Sequence, residues 1–494
     1  MKVNAMTLFQ FLRKTVPVFA LIFGILATIF PFAAPDADAV RIVENRTFQR
    51  FDGWGVSGAW WAQFVGNSPV DEEVARLLFD GESGLGLDIY RYNIGGGEAE
   101  NPASRIWGGW TKTESFYVLN ERTGRYELDF SRDANARRMM DLAVRNGASG
   151  IVLFCNSPHF SLTASGHASG GLTANASNLP RENYQRFVDY VLAVADHFVA
   201  LGYPVRAVSP VNEPQWGWGG DWVGQEGCHY TPEETVDLLE LFAVNMMRRH
   251  SPYALSGPEN GAMSKDWFAY QRLYFQSPVL NAFCDTYSGH SYWMDNDIKG
   301  KWLAGKRFAL CFPRKKFEMS EWCELPCTLD SNSIDSALYM ANVIQQDLTL
   351  LGAASWQAWT AVGLHGETGG VVKSDTLLRV NPAYTKVSFN KRYYAYRHFT
   401  AHVESGAFRV GVLTGCSLDD VAAVAFKSPG KLTLVMINNA AVATAIQLNN
   451  TGDRMQVFTT DAVRNYERTY DGACRKQLTL PARSIVTVVI TAGG

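Results

Sequence analysis

Residues 205–220 read VRAVSPVNEPQWGWGG. A run with β-branched residues leads into Asn212, Glu213 and Pro214, and two indoles, Trp216 and Trp218, follow at once. Such a run favours a strand, and Pro214, which has no N–H to give a ladder, is expected to stop it. A lone carboxylate then stands at the carboxyl end of the strand beside flat aromatic rings. On its own this is either a turn with surface aromatics or an acid next to a stacking platform.

Working outward, seven more short runs share the design. FDGWGVSG (51–58), LDIYRYNIGGG (87–97), GIVLFCNSP (150–158), ALSGPENG (254–261), CDTYSGHSYW (284–293), KFEMSEW (316–322) and AASWQAWTAV (353–362) each read as a strand finishing in polar or aromatic residues. Amphipathic helical stretches lie between them, such as 133–147, 182–202 and 231–250. The last opens on Thr231-Pro232 with Glu233 and Glu234 behind, a good helix start. Eight strands alternating with helices predict an α/β fold, a (β/α)8 TIM barrel over residues 51–390. In that fold the chemistry gathers at the carboxyl ends of the strands, which is where the polar residues fall.

Beyond residue 391 the pattern changes to alternating, β-branched segments, KLTLVMINN and RSIVTVVITA among them, separated by Gly and Asn turns. Residues 391–494 therefore read as an appended all-β sandwich, with residues 40–50 as a strand that joins it. Residues 1–39 carry Lys2, Arg13 and Lys14, an apolar run from Val16 to Phe32 and the sequence Ala37-Asp38-Ala39. These are the parts of a secretory signal peptide cleaved after Ala39. An uncleaved membrane anchor is the competing reading, because the run nearly reaches spanning length. Cleavage makes the protein secreted, extracellular or periplasmic, with no stable membrane insertion.

The formal net charge of −3 and the lack of a long basic run argue against a nucleic-acid partner. Fourteen tryptophans supply flat faces suited to sugar rings. Eight cysteines allow many pairings, and the Cys323/Cys327 spacing is not that of a zinc site. Gly53, Gly55 and Gly58 satisfy G-x-G-x-x-G but lack the strand before and the helix after that a dinucleotide site needs. No cofactor and no metal are expected.

Two glutamates stand out by position: Glu213 at the end of the fourth strand and Glu321 at the end of the seventh. Either alone could be a loop or salt-bridge carboxylate. A barrel brings both to one face, where a carboxylate pair can cleave a glycosidic bond, with retention when the two are roughly 5–5.5 Å apart.

The NEP of strand four and the SEW of strand seven, with FDGWG, RYNIGG, GHSYW and SWQAW in order around them, resemble the clan A glycoside hydrolases, and specifically glycoside hydrolase family 30. The resemblance implies that Glu213 is the general acid/base and Glu321 the nucleophile. It further implies that Asn212 binds a sugar 2-OH, that Arg91 holds the nucleophile ionised, that His290 and Tyr292 form the sixth-strand pair, and that Trp359 is a platform under the reactive sugar. Alternatives remain for several of these: a turn role for Asn212, a core histidine for His290, a structural indole for Trp359. Trp54, Trp60 and Trp216 complete the expected substrate-binding set. The glucosylceramidase-like members carry an acidic residue shortly after the first-strand glycines; this chain has Trp60 and Trp61 there. GAWW, RYNIGGGEAEN and NEPQWGWGG are most similar to the endo-β-1,6-galactanase branch. The expectation is a secreted retaining endo-glycosidase acting on a polysaccharide or oligosaccharide, β-1,6-galactan of arabinogalactan side chains. The alternatives are β-1,6-glucan, xylan or glucosylceramide cut by the same mechanism, or a non-catalytic carbohydrate-binding protein.

Overall fold

The computed structural model describes residues 39–221, 223–263, 267–364, 372–417, 420–449 and 452–492. The expected signal peptide therefore lies, up to residue 38, outside the described residues, and Ala39 begins a strand. No helix among the described residues is long and apolar enough to cross a membrane.

The barrel strands are Gly53–Ser57, Ile89–Asn93, Gly150–Phe154, Val205–Ser209, a fifth in two pieces (Ala254–Leu255 and Pro258–Asn260), Thr286–His290, Lys316–Trp322 and Ala353–Ala358. All pair in parallel. The split fifth strand closes the ring. Its first piece pairs with the fourth strand through Ala207–Ala254, and its second with the sixth through Ser288–Pro258. Helices fill the connections, and Pro232–Arg249 is closed at its start by the reciprocal bonds of Thr231 and Glu234, a capping box. Strands buried on both faces read as nearly continuous apolar runs, and Gly150–Phe154 is buried throughout. The fourth strand differs from expectation in one detail. It ends at Ser209, before Pro210, so Pro210 and not Pro214 breaks the ladder.

The second unit is a nine-stranded sheet in which Ala39–Arg50 pairs antiparallel with Phe408–Thr414 and parallel with Thr444–Leu448. Its strands share one apolar cluster that includes Val40, Leu434, Met436 and Val488, so the sheet curls round a core of its own. The helix Lys391–Thr400 fills the seam between the two units. On it the Tyr396 hydroxyl lies 2.9 Å from the Gly55 carbonyl in the barrel. His398, two residues on and on the opposite side of the helix, bonds Thr487 and Thr460 of the sheet at 2.8 and 2.9 Å.

Candidate active site

The carboxyl ends of six neighbouring strands, the second to the seventh, build the site. The fourth strand leaves Ser209 and reaches Glu213, whose backbone sits at φ 47°; the last piece of the fifth carries Glu259 at φ 57°. Side chains other than glycine rarely adopt this left-handed region. The Glu213 N–H donates to the Glu259 carbonyl at 2.8 Å, tying the two bends together. Gly261 completes the arrangement by close approach. A Cβ there would stand 2.4 Å from both Glu213 Oε1 and Trp216 Nε1.

Glu321 is the register partner of His290 on the adjacent strand. Its Oε1 accepts from the Tyr292 hydroxyl at 3.0 Å, and Arg91 on the second strand pairs with its Oε2. The Arg91 guanidinium also donates to Asn212 Oδ1 at 2.9 Å and lies 3.8 Å from the centroid of the Phe154 ring. Asn212 in turn donates to Asn156 at 3.2 Å. His290 sits at the centre. Its Nδ1 is 3.2 Å from Glu213 Oε1 and 3.5 Å from Glu321 Oε1, and its Nε2 is 3.2 Å from Glu259 Oε2. Ligand-type atoms of Glu213, His290 and Glu321 all lie within 4.8 Å of one another. Glu213, Glu321, Asn212, Arg91, His290 and Tyr292, which the sequence placed on four different strands, thus meet in one cluster.

The charges explain each other. Burial opposes a proton on His290, but Glu321, Glu213 and Glu259 overcome it and push the imidazole up to about 9. Glu259 is pulled the other way: burial raises it, yet Arg91, His290 and Ser320 bring it down to about 2. Burial pushes Glu321 above the ordinary carboxylate range, opposed by His290 and Arg91 and reinforced by Glu213. At neutral pH the cluster therefore holds two cations, Arg91 and the His290 imidazolium. The trio stands close enough for protons to pass between its members.

Aromatic rings flank the cluster. Trp359, just past the eighth strand, meets Trp60 edge-on with centroids 5.2 Å apart, and Phe154 stands 6.2 Å from Trp359. Trp216 is half-buried beside Glu213, whereas Trp218 is buried and donates its indole N–H to the Glu213 carbonyl at 2.9 Å. Trp54 is a correction. Its indole is wholly buried, donates to the Val403 carbonyl at 2.8 Å and packs on Tyr396 and Phe399 in the seam, so it cannot touch substrate. Trp61 is likewise core, bonded to the Ser57 carbonyl.

Sequence reading missed Glu259 and the two hydroxyls that hold it, Ser209 at 2.8 Å and Ser320. A signal was available: PEN (258–260) at the end of strand five echoes NEP (212–214) after strand four.

Comparison with known proteins follows the same outline. Residues 37–271 match O-glycosyl hydrolase family 30, and residues 406–488 match the glycosyl hydrolase family 30 β-sandwich domain. An endo-β-1,6-galactanase of Hypocrea rufa is 25% identical over 429 residues, covering 82% of this chain and 81% of that protein. An exo-β-1,6-galactobiohydrolase of Bifidobacterium longum subsp. longum is 27% identical over 297 residues, 46% of this chain but only 19% of that longer protein. The crystal structure of a conserved exported protein from Bacteroides fragilis superposes with a TM-score of 0.81 at 23% identity, covering 92% of this chain and all of the other. With barrel and sandwich both matched, and a carboxylate pair where the barrel strands end, the chain belongs to glycoside hydrolase family 30 and is an O-glycosyl hydrolase.

Proposed function

We propose that the protein is a secreted, retaining endo-hydrolase of β-1,6-galactan. The observation that carries the mechanism is the closeness of the two carboxyl groups, whose nearest oxygens lie within 4.8 Å. That spacing suits direct attack by one carboxylate and leaves no room for the water an inverting pair needs. Glu213 gives its proton to the glycosidic oxygen while Glu321 attacks the anomeric carbon, forming a glycosyl ester and releasing the leaving chain. Glu213, now ionised, takes a proton from water, which attacks the same carbon and frees Glu321.

The cluster's charge supports this sequence. The double displacement itself starts with a transferable proton on Glu213 and with Glu321 ionised beside Arg91. After glycosylation Glu321 is an uncharged ester and Glu213 carries the negative charge. The total is unchanged, so the buried cations fit both states and no charge has to be desolvated anew as the reaction proceeds. Tyr292 and Arg91 hold the attacking carboxylate in line, and Trp359 and Trp60 offer apolar faces for the sugar.

The galactan linkage is supported by the two relatives, an endo-β-1,6-galactanase and an exo-β-1,6-galactobiohydrolase. An endo mode is supported by the indole of Trp60 at a position where an exo pocket would carry an acid. Secretion rests on the N-terminal charge and apolar pattern, and the mass of the exported chain tests it. The main test is product analysis on β-1,6-galactan beside xylan, β-1,6-glucan and glucosylceramide. Short galacto-oligosaccharides, appearing first as the β-anomer by NMR, are the expected result. Glu321→Gln is expected to lower turnover about ten-thousand-fold while substrate still binds. Release of the α-anomer would overturn retention, and cleavage of another polymer alone would overturn the substrate.

A further inference from the structure

A groove of about 440 Å³ runs between the barrel helix Ile298–Cys311 and the strands Ala39–Arg50 and Phe408–Thr414 of the second unit. None of the residues gathered around Glu213 and Glu321 lines it. Its lining holds three cations, Arg46, Lys306 and Arg409, and no Asp or Glu among the described residues. A basic groove usually recruits acidic neighbours from its own chain. Here, among the described residues, none of the three makes an ion pair, although Glu44, nearby in sequence, pairs with Lys427. Arg409 is 8% exposed, bonds Gln49 through Nε at 2.9 Å and stacks on Phe48 at 3.7 Å, with Arg46 5.3 Å from the same ring. Burial, with Arg46 adding like charge, pulls Arg409 down to about 10. The groove is therefore electrostatically unfinished, and its missing partner is an anion.

Two further features narrow the chemistry. Trp302 is 48% exposed at the groove, a flat apolar face open to solvent. Gln346 also lines the groove, and its buried side-chain oxygen has no hydrogen-bond partner, an acceptor left over for a hydroxyl. A carboxylate for the cations, a ring face for the indole and a hydroxyl for the amide belong together in one kind of molecule. We propose that this groove is a second saccharide-binding site, apart from the cleft, that takes a uronic-acid-bearing glycan. In an endo-acting enzyme such a site tethers an acidic polymer while the cleft works on it, raising the local concentration of cleavable chain.

The test uses the full chain and isothermal titration with short oligogalacturonates, which supply the uronate. Trp302→Ala and Lys306→Glu alter exposed side chains. Each is expected to weaken binding about tenfold, while leaving the melting temperature and the hydrolysis of a short soluble substrate unchanged. Added salt is expected to weaken the parent's binding as well. Oligogalacturonate bound equally well by parent and both variants would overturn the proposal. Displacement by an equal concentration of inorganic phosphate would also overturn it, since the groove would then bind anions without reading a sugar. A neutral galacto-oligosaccharide, bound in the cleft, is expected to be indifferent to both substitutions. Because turnover is not needed for the uronate measurement, failure of the galactan assignment would leave this result readable.

Discussion

Two histidines of this protein are wholly buried and are driven in opposite directions. His398, in the seam between barrel and sheet, has a threonine hydroxyl at each ring nitrogen, and burial holds it well below its ordinary value, so it is neutral. His290, at the carboxyl end of the barrel, has a carboxylate at each ring nitrogen and is held up to about 9. Burial is common to both and pushes both the same way. The neighbours decide. Where the fold needs only a filled, satisfied seam, hydroxyls complete a neutral ring. Where it keeps a charge indoors, it surrounds the ring with acids that have work of their own.

Removing one acid should move His290 toward the behaviour of His398. Glu259→Gln takes away the carboxylate at Nε2 and the counter-charge shared with Arg91. Leaving buried cations underpaired is expected to cost about 3–5 kcal/mol of stability. Turnover is expected to fall about a hundredfold with little change in KM, because Glu259 acts through His290 and Arg91 and does not touch substrate. Beyond the limb set by the acid's own proton, the wild-type rate should decline further as pH rises through about 9, where His290 loses its proton. In Glu259→Gln that alkaline limb should move to lower pH. A slow variant with an unmoved limb would show that Glu259 only supports packing.

How much of this contrast the sequence could reveal depends on the element. The barrel and the meeting of Glu213, Glu321, Arg91, His290 and Tyr292 were legible because parallel strands bring their carboxyl ends to one face, whatever the sequence distance. Glu259 was not legible. Its position depends on a strand that breaks at Ser256-Gly257 and resumes, and on a left-handed backbone at a glutamate, neither of which has a periodic signature. Trp54 failed for a different reason. Both faces of a barrel strand are buried, so alternation cannot tell the face toward the barrel axis from the one toward the helices. Trp54 turned out to face the helix Lys391–Thr400.

The two histidines should also tilt the stability curve in opposite senses. The folded value of His290 lies above its unfolded value of 6.5, so its contribution is complete below pH 6.5 and is lost as pH rises through about 9. His398 lies below 6.5 when folded, so its contribution is complete above pH 6.5 and shrinks as acid protonates the unfolded chain. For His290 the effect is expected to reach a few kcal/mol. Denaturant melts across pH 5–10 should therefore show a maximum near neutrality. His398→Asn should flatten the acid side only, and His290→Asn the alkaline side only. The same side flattening in both variants would mean that the local partners do not set the two states.

The smallest effect sharpens the contrast through tryptophan. Trp54→Phe keeps a ring in the seam but loses the bond to the Val403 carbonyl and some packed area. A buried acceptor left without its donor costs about 1–3 kcal/mol. Since Trp54 lies with Tyr396 and Phe399 rather than with the carboxylates, kcat and KM should stay as they are. Trp359→Phe is the mirror case. It trims an indole that meets Trp60 near the cluster, so KM for the polysaccharide should rise several-fold, on the order of 1 kcal/mol of lost contact, with a smaller change in melting temperature. If Trp54→Phe raised KM as Trp359→Phe does, the seam and the cleft would be coupled through the first strand. The division between a structural indole and a working one would then fall.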